Sequence, residues 1–231
     1  MNKTIKTWLK KRVFYNDLLN IKLKYLKIRD AYYLQKNGLK TLILIDKIFK
    51  EVNIEYWLDT STLLGAIREK KFIKGDNDLG LGINIKDYSM IIPKKLKENG
   101  ILLLREYLVD NGNYGREQTY IYKGVEIDIF YHTINMKNKT TKYHSFISNG
   151  NSNNYLVKEA LFPFEGLVKI DFLGKEYNVP KNYIEYTKVK YGEDFMIPNP
   201  KWVMADEKNA IILKDKFGKV VLYKNFNEEK L

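Results

Sequence analysis

At 231 residues, with about 45% hydrophobic and 14% aromatic content, the chain is long enough for one large domain or a domain with additions, and it is composed to bury a core. It has no cysteine, which excludes disulfides, thiolate metal sites and cysteine nucleophiles; its two histidines, His132 and His144, exclude a multi-histidine metal centre and carry no assigned role. A net charge of +12 implies an anionic partner: phosphate ligands, nucleic acid or an acidic membrane face.

Residues 1–36 hold ten Lys/Arg against two Asp, and so supply eight of the twelve net positive charges. Trp8, Val13, Leu18, Leu19, Leu23, Tyr25 and Leu26 give a rough helical stripe. A basic amphipathic helix of this kind either lies on an anionic membrane surface or docks on the protein with its basic face solvated. No signal peptide and no apolar run of membrane-spanning length is expected, so the expected location is cytoplasmic, with residues 1–36 peripheral at the inner face of the membrane.

Residues 38–52 repeat apolar side chains at Leu42, Leu44, Ile45, Ile48 and Phe49, the pattern of a core-facing helix. Asn53 breaks it, and Ile54 to Leu58 reads as a strand. Ser61 and Thr62 then stand at a helix start, where free backbone N–H groups and the positive dipole end favour an anion such as phosphate; plain capping is the commoner use of such residues. Gly65 permits close approach, and Arg68 adds a forked positive charge. Asp76 and Asp78 follow in an acidic turn. If that turn is extended, their spacing puts both carboxylates on one side, as a divalent metal requires. Leu79, Leu81, Ile83 and Ile85 alternate as a half-buried strand.

Residues 87–99 read as a helix interrupted near Pro93, Ile101 to Leu104 as a buried strand, and Asn111 to Gly115 as a turn. Thr119 to Tyr122 is a strand that turns at Lys123-Gly124 into VEIDIFYH. There Val125, Ile127, Ile129 and Tyr131 share one face, and Glu126, Asp128, Phe130 and His132 the other. Asp128 on a strand costs stability unless it is paired, exposed or bound to metal, which makes it the candidate third ligand. Residues 135–154 are polar, with SNGNSNN a loop, and Phe162-Pro163-Phe164 restarts order. Leu167–Phe172 and Tyr177–Val179 form a hairpin, and Pro180 starts a helix closed by Gly192. FMIPNPKWV is extended, and residues 209–225 form a last hairpin turning at Lys216 to Gly218.

Three ordered blocks resemble the LicD/fukutin family. The first is Trp57-Leu58, Ser61-Thr62-Leu63-Leu64-Gly65, Arg68, Phe72-Ile73, Asp76 and Asp78. The second is GVEIDIF with Asp128. The third is LFPFEG, VPKNYIEY and YGEDFMIPNPKW. The resemblance covers roughly residues 38–203 and implies an α+β fold: a nucleotidyltransferase-like mixed sheet flanked by helices, with an N-terminal basic helix and a C-terminal hairpin. The expected division is 1–36 for the basic helix, 37–205 for the catalytic domain and 206–231 for the hairpin extension.

The implied activity is metal-dependent transfer of a phosphorylated alcohol from a CDP-linked donor, such as CDP-choline or CDP-ribitol, to a cell-surface glycan in capsule, lipopolysaccharide or teichoic acid. Asp76, Asp78 and Asp128 would be catalytic and would hold Mg2+ (or Mn2+), while Ser61, Thr62, Gly65 and Arg68 would hold donor phosphate. Two departures stand out: Gly80 replaces the last acidic residue of the family's run, and Ser61 replaces a glycine. Two rivals stand beside this reading: a nucleotidyltransferase using a nucleoside triphosphate, which would share the carboxylates and suit the basic charge, and a degenerate relative that binds without catalysing, which Gly80 supports. Nucleic acid is not an expected partner, because the charge is concentrated away from the motifs.

Overall fold

Alternating apolar residues build the centre of the molecule. Leu79, Leu81 and Ile83 on one strand and Val125, Ile127, Ile129 and Tyr131 on its neighbour point to the same side, where all are almost fully buried. Against that face packs a long helix through Leu34, Leu42, Ile45, Ile48 and Phe49. This computed structural model describes residues 3–148, 154–199, 202, 207 and 209–223, with side chains from residue 17 onward.

In chain order the elements are α1 (Lys3–Glu51), β1 (Tyr56–Leu58), α2 (Thr60–Arg68), β2 (Asp78–Asn84), α3 (Ile91–Glu98), β3 (Leu102–Val109), β4 (Gly115–Tyr122) and β5 (Val125–Asn135). They continue with β6 (Thr140–Ser148), β7 (Tyr155–Pro163), β8 (Leu167–Phe172), β9 (Lys175–Pro180), α4 (Tyr183–Tyr191) and β10 (Ala210–Leu222). Eight strands form one mixed sheet in the order β1-β2-β5-β4-β3-β10-β7-β6, and β8 and β9 pair separately. Among the described residues only β2 and β5 run parallel; the other pairings are antiparallel. The sheet curls until β6 returns to the far end of β5, where Thr133, Ile134 and Asn135 pair with Lys142, Thr141 and Thr140. The fold is the expected α+β class, a mixed sheet flanked by helices.

Several expected elements differ. The segments 1–36 and 38–52 are one helix, α1, which runs through Gly38 because Leu34 and Leu42 on either side of it are locked into the core. Pro93 does not interrupt α3. It is the third residue of the helix, where no intrahelical partner awaits its missing N–H. The polar stretch 135–154 contains the strand β6, in which Thr141, Tyr143 and Ser145 are buried; residues 149–153 of its expected loop lie outside the described residues. The start of FMIPNPKWV turns instead of extending: Phe195 N–H donates to Gly192 O and Ile197 N–H to Asp194 O.

The C-terminal hairpin is corrected most plainly. Residues 210–222 are a single strand that pairs first with β7 (Ala210 to Leu213), slips register before Phe217, and then pairs with β3 (Lys219 to Leu222). It joins two parts of the sheet, so it is no accessory extension. By contrast, the β8–β9 hairpin turns at Leu173-Gly174 as expected, with both residues at positive φ (56° and 79°), and Gly192 ends α4 at φ 97°.

Candidate active site

The carboxylates gather on the face of the sheet opposite α1. Parallel pairing sets Asp78 beside Glu126 and Gly80 beside Asp128, while β4 sets Thr119 beside Asp128 from the other side. Residues two apart share a face, so Asp78, Glu126, Asp128 and Glu117 all project to one side. Asp76 precedes β2 in a turn that its own side chain closes, accepting the Asn77 N–H at 3.1 Å. Ser61 at the start of α2 donates to Asp78 at 3.4 Å, and Thr119 donates to Asp128 at 2.6 Å.

This edge is over-supplied with negative charge. Burial pushes the Asp76 carboxyl up to about 6, against the favourable pull of Ser61, the Asn77 N–H and the Lys27 ammonium. Asp78 is held well above the usual carboxylate range, by burial and then by the charges of Asp128, Asp76 and Glu126. Burial also raises Asp128, despite Thr119 and Arg105, and lifts Glu117 to about 8 with Asp128 adding to the effect. The Oδ2 of Asp76 is buried with no hydrogen-bond partner. An all-oxygen set of mutually repelling carboxylates with an orphaned oxygen fits a divalent cation such as magnesium. Among the described residues, no three His, Asp or Glu side chains stand close enough together to hold a metal ion by themselves. Magnesium habitually completes its shell with water and substrate oxygens, so protein carboxylates need supply only part of it. Two surface hollows, of about 320 and 600 Å³, lie elsewhere: one is lined in part by Trp57, Asn84 and Phe164, the other by Tyr183 and Lys188.

The residues expected to hold phosphate are placed differently. Ser61 turns to the acidic edge. Thr62 is fully buried, and its hydroxyl accepts the Gly80 N–H at 2.9 Å, which ties α2 to β2. A side chain at Gly65 would strike the Lys71 carbonyl, so that glycine serves the packing of the following loop. Arg68 donates to Glu69 at 2.7 Å and to the Phe195 carbonyl at 3.4 Å. A different guanidinium lies at the edge: Arg105 of β3 pairs with Glu126 at 3.3 Å and acts electrostatically on Asp128, with its Nε unpartnered.

The start of α2 rests on a buried network that periodicity does not reveal. Asp59 caps the helix, accepting from Thr60 N–H at 2.7 Å, and also accepts from His132 Nε2 at 2.7 Å and Tyr186 OH at 3.1 Å. Burial would raise its pKa, but the His132 hydrogen bond and charge outweigh that and lower it. His132 is thus structural, as is His144, which is buried and within 3.1 Å of Glu159. Tyr191, at the end of α4, packs on Trp202 with ring centroids 4.6 Å apart and feels the charges of Asp76 and Asp78, which brings the C-terminal block to the same edge.

The family model for the LicD/FKTN/FKRP nucleotidyltransferase domain matches residues 53–182, which runs from β1 to the start of α4 and includes all three aspartates. The chain belongs to this family. The chain is 27% identical over 179 residues to ribitol-5-phosphate transferase FKTN of Macaca fascicularis and 26% identical over 179 residues to that of Homo sapiens, matches that cover 75% of this chain and 36% of each relative. It is also 29% identical over 109 residues to the uncharacterized protein RT0683 of Rickettsia typhi, covering 40% of this chain and 35% of that one. The chain thus spans about a third of the length of these relatives. Among the described residues, no helix of this LicD-family chain is long and apolar enough to cross a membrane.

Proposed function

We propose that this LicD-family protein transfers a phosphorylated alcohol, of the ribitol-phosphate, glycerol-phosphate or phosphocholine type, from a CDP-linked donor to a cell-surface glycan. The reading is carried by one observation: Asp76, Asp78 and Asp128 lie close enough for their charges to act on one another, and the buried Oδ2 of Asp76 has no hydrogen-bond partner. Membership of the family, and the likeness to ribitol-5-phosphate transferases within it, support the reaction class.

Asp76, Asp78 and Asp128 are the residues that would hold Mg2+ or Mn2+, which when bound would neutralise charge on the donor diphosphate and the leaving nucleotide. The chain's own work is positioning. Ser61 and Thr119 fix the carboxylate oxygens that face the donor. Arg105 offers a guanidinium to phosphate oxygens at the same edge. The acceptor hydroxyl oxygen forms a bond to the phosphorus that carries the alcohol, the bond from that phosphorus to the CMP oxygen breaks, and a carboxylate of the edge takes the hydroxyl proton. CMP leaves with the electron pair.

The test is to incubate the protein with CDP-ribitol, CDP-glycerol or CDP-choline and a polyol or glycan acceptor, with and without magnesium. The expected result is magnesium-dependent release of CMP from one donor and no pyrophosphate from nucleoside triphosphates. Pyrophosphate release without CMP would replace this reading with nucleotidyl transfer. A second reading, donor binding without turnover, is favoured by Gly80, which withholds a carboxylate from the edge. Tight CDP-donor binding with no CMP release would support it.

A further inference from the structure

Along α1 the residues Leu18, Ile21, Tyr25, Ile28 and Tyr32 recur at spacings of three, four, three and four, so they form one stripe about four turns long. All are open to solvent, at 51%, 65%, 65%, 61% and 56%. They lie on the side of the helix away from Leu34, Thr41 and Ile45, which are buried against the sheet. Among the described residues nothing packs against this face, and five large apolar side chains so placed call for a partner.

The flanks of the stripe decide what it is. Lys22 and Lys24 border it on either side, Arg29 lies near Lys22, and Lys36 closes its end with the ammonium 5.3 Å from the Tyr32 ring centre and 3.2 Å from its hydroxyl. A second copy of the chain would bring the same lysines together around the seam, at a cost in repulsion. Anionic lipid satisfies both parts, taking the apolar side chains at the acyl boundary and the ammonium groups at the headgroups.

We propose that this face of α1 docks on an anionic membrane surface. Other sides of the same helix reach the acidic edge: Gln35 donates to the Ile73 carbonyl at 3.1 Å, just before the Asp76 turn, and the Lys27 ammonium favours the ionised form of Asp76. Docking of this face is independent of the chemistry proposed for the carboxylates.

The test is co-sedimentation of the full chain with vesicles of phosphatidylcholine alone and of phosphatidylcholine mixed with phosphatidylglycerol. The expected result is salt-sensitive binding to the mixed vesicles, at least tenfold weaker binding to phosphatidylcholine alone, and a further loss of about tenfold or more in the Ile21→Gln/Ile28→Gln variant. Circular dichroism of that variant should show its helix content retained. Absence of vesicle binding, or binding unchanged in the variant, would overturn the proposal. So would a concentration-dependent dimer that the same variant abolishes, which would assign the stripe to a second copy.

Discussion

The Thr60 hydroxyl fills the space into which any side chain on Gly80 would project. Thr60 holds a positive φ of 48°, unusual for a β-branched residue, and the Asp59 carbonyl closes the other side of the same space. The missing carboxylate at position 80 is therefore built into the packing of α2 on β2. Gly80→Asp alone should cost about 1–3 kcal/mol by overpacking. In a Thr60→Gly background, which removes both the obstruction and the backbone strain, the cost should shrink by about 0.5 kcal/mol or more, the size of a typical coupling between neighbours. Urea denaturation of the four proteins of this cycle checks it, and equal costs in both backgrounds would refute the fit.

The acidic edge gives the metal-free protein an uncommon dependence on pH. The folded Asp76 carboxyl is raised from 3.8 to about 6, so its protonated form favours folding; that stability is full below about pH 4 and is lost as pH rises through 6. A rise of that size corresponds to about 1–3 kcal/mol. Thermal melts between pH 4 and 7 should show a fall in Tm in metal-free buffer, a flatter curve for Asp76→Asn, and recovery of the wild type on adding magnesium.

Asp59 works in the opposite sense. Its pKa is lowered in the fold, so the stability it contributes is present above its ordinary value of 3.8 and disappears as pH falls through the folded value. Because Asp59 is fully buried and holds His132, Tyr186 and the start of α2 together, Asp59→Ala should cost about 3–5 kcal/mol. Equilibrium unfolding measures this, and a loss under about 1 kcal/mol would show that the network is dispensable.

Strand β10 supplies a prediction that separates its observed role from that of an appendage. Ending the chain before residue 209 would expose the edges of β3 and β7 together. The truncated protein should be insoluble or molten, whereas a dispensable hairpin would leave a cooperative melt unchanged.

What is legible in the sequence is what local pattern encodes. Spacing of two places Asp76 with Asp78, and strand alternation turns Asp128 away from the core, so the three aspartates of the acidic edge can be read from the residues alone. Glu117 and Arg105 cannot. Each is one charge in an unremarkable strand, and only the register of β3, β4 and β5 brings them beside Asp128. The same holds for Asp59, which reads as one more turn residue before Ser61 until His132 and Tyr186 arrive from 73 and 127 positions away. Thr62, Gly65 and Arg68 carry the motif, yet their contacts are spent on the packing of α2, its following loop and the turn at Phe195. Strand β10 reads as a hairpin because Lys216 to Gly218 resembles a turn. The fold instead slips register between Leu213 and Phe217 while still on β7, and the same strand passes to β3 from Lys219.

The central claim is that Asp76, Asp78 and Asp128 form a magnesium-dependent donor site despite Gly80. It is tested most directly by calorimetric titration of CDP into the protein with and without magnesium, beside the Asp78→Asn variant. The account predicts binding that requires magnesium and is lost in the variant, while the variant's melt remains cooperative. Binding of equal strength without magnesium or in Asp78→Asn, or no binding under any condition, would contradict it.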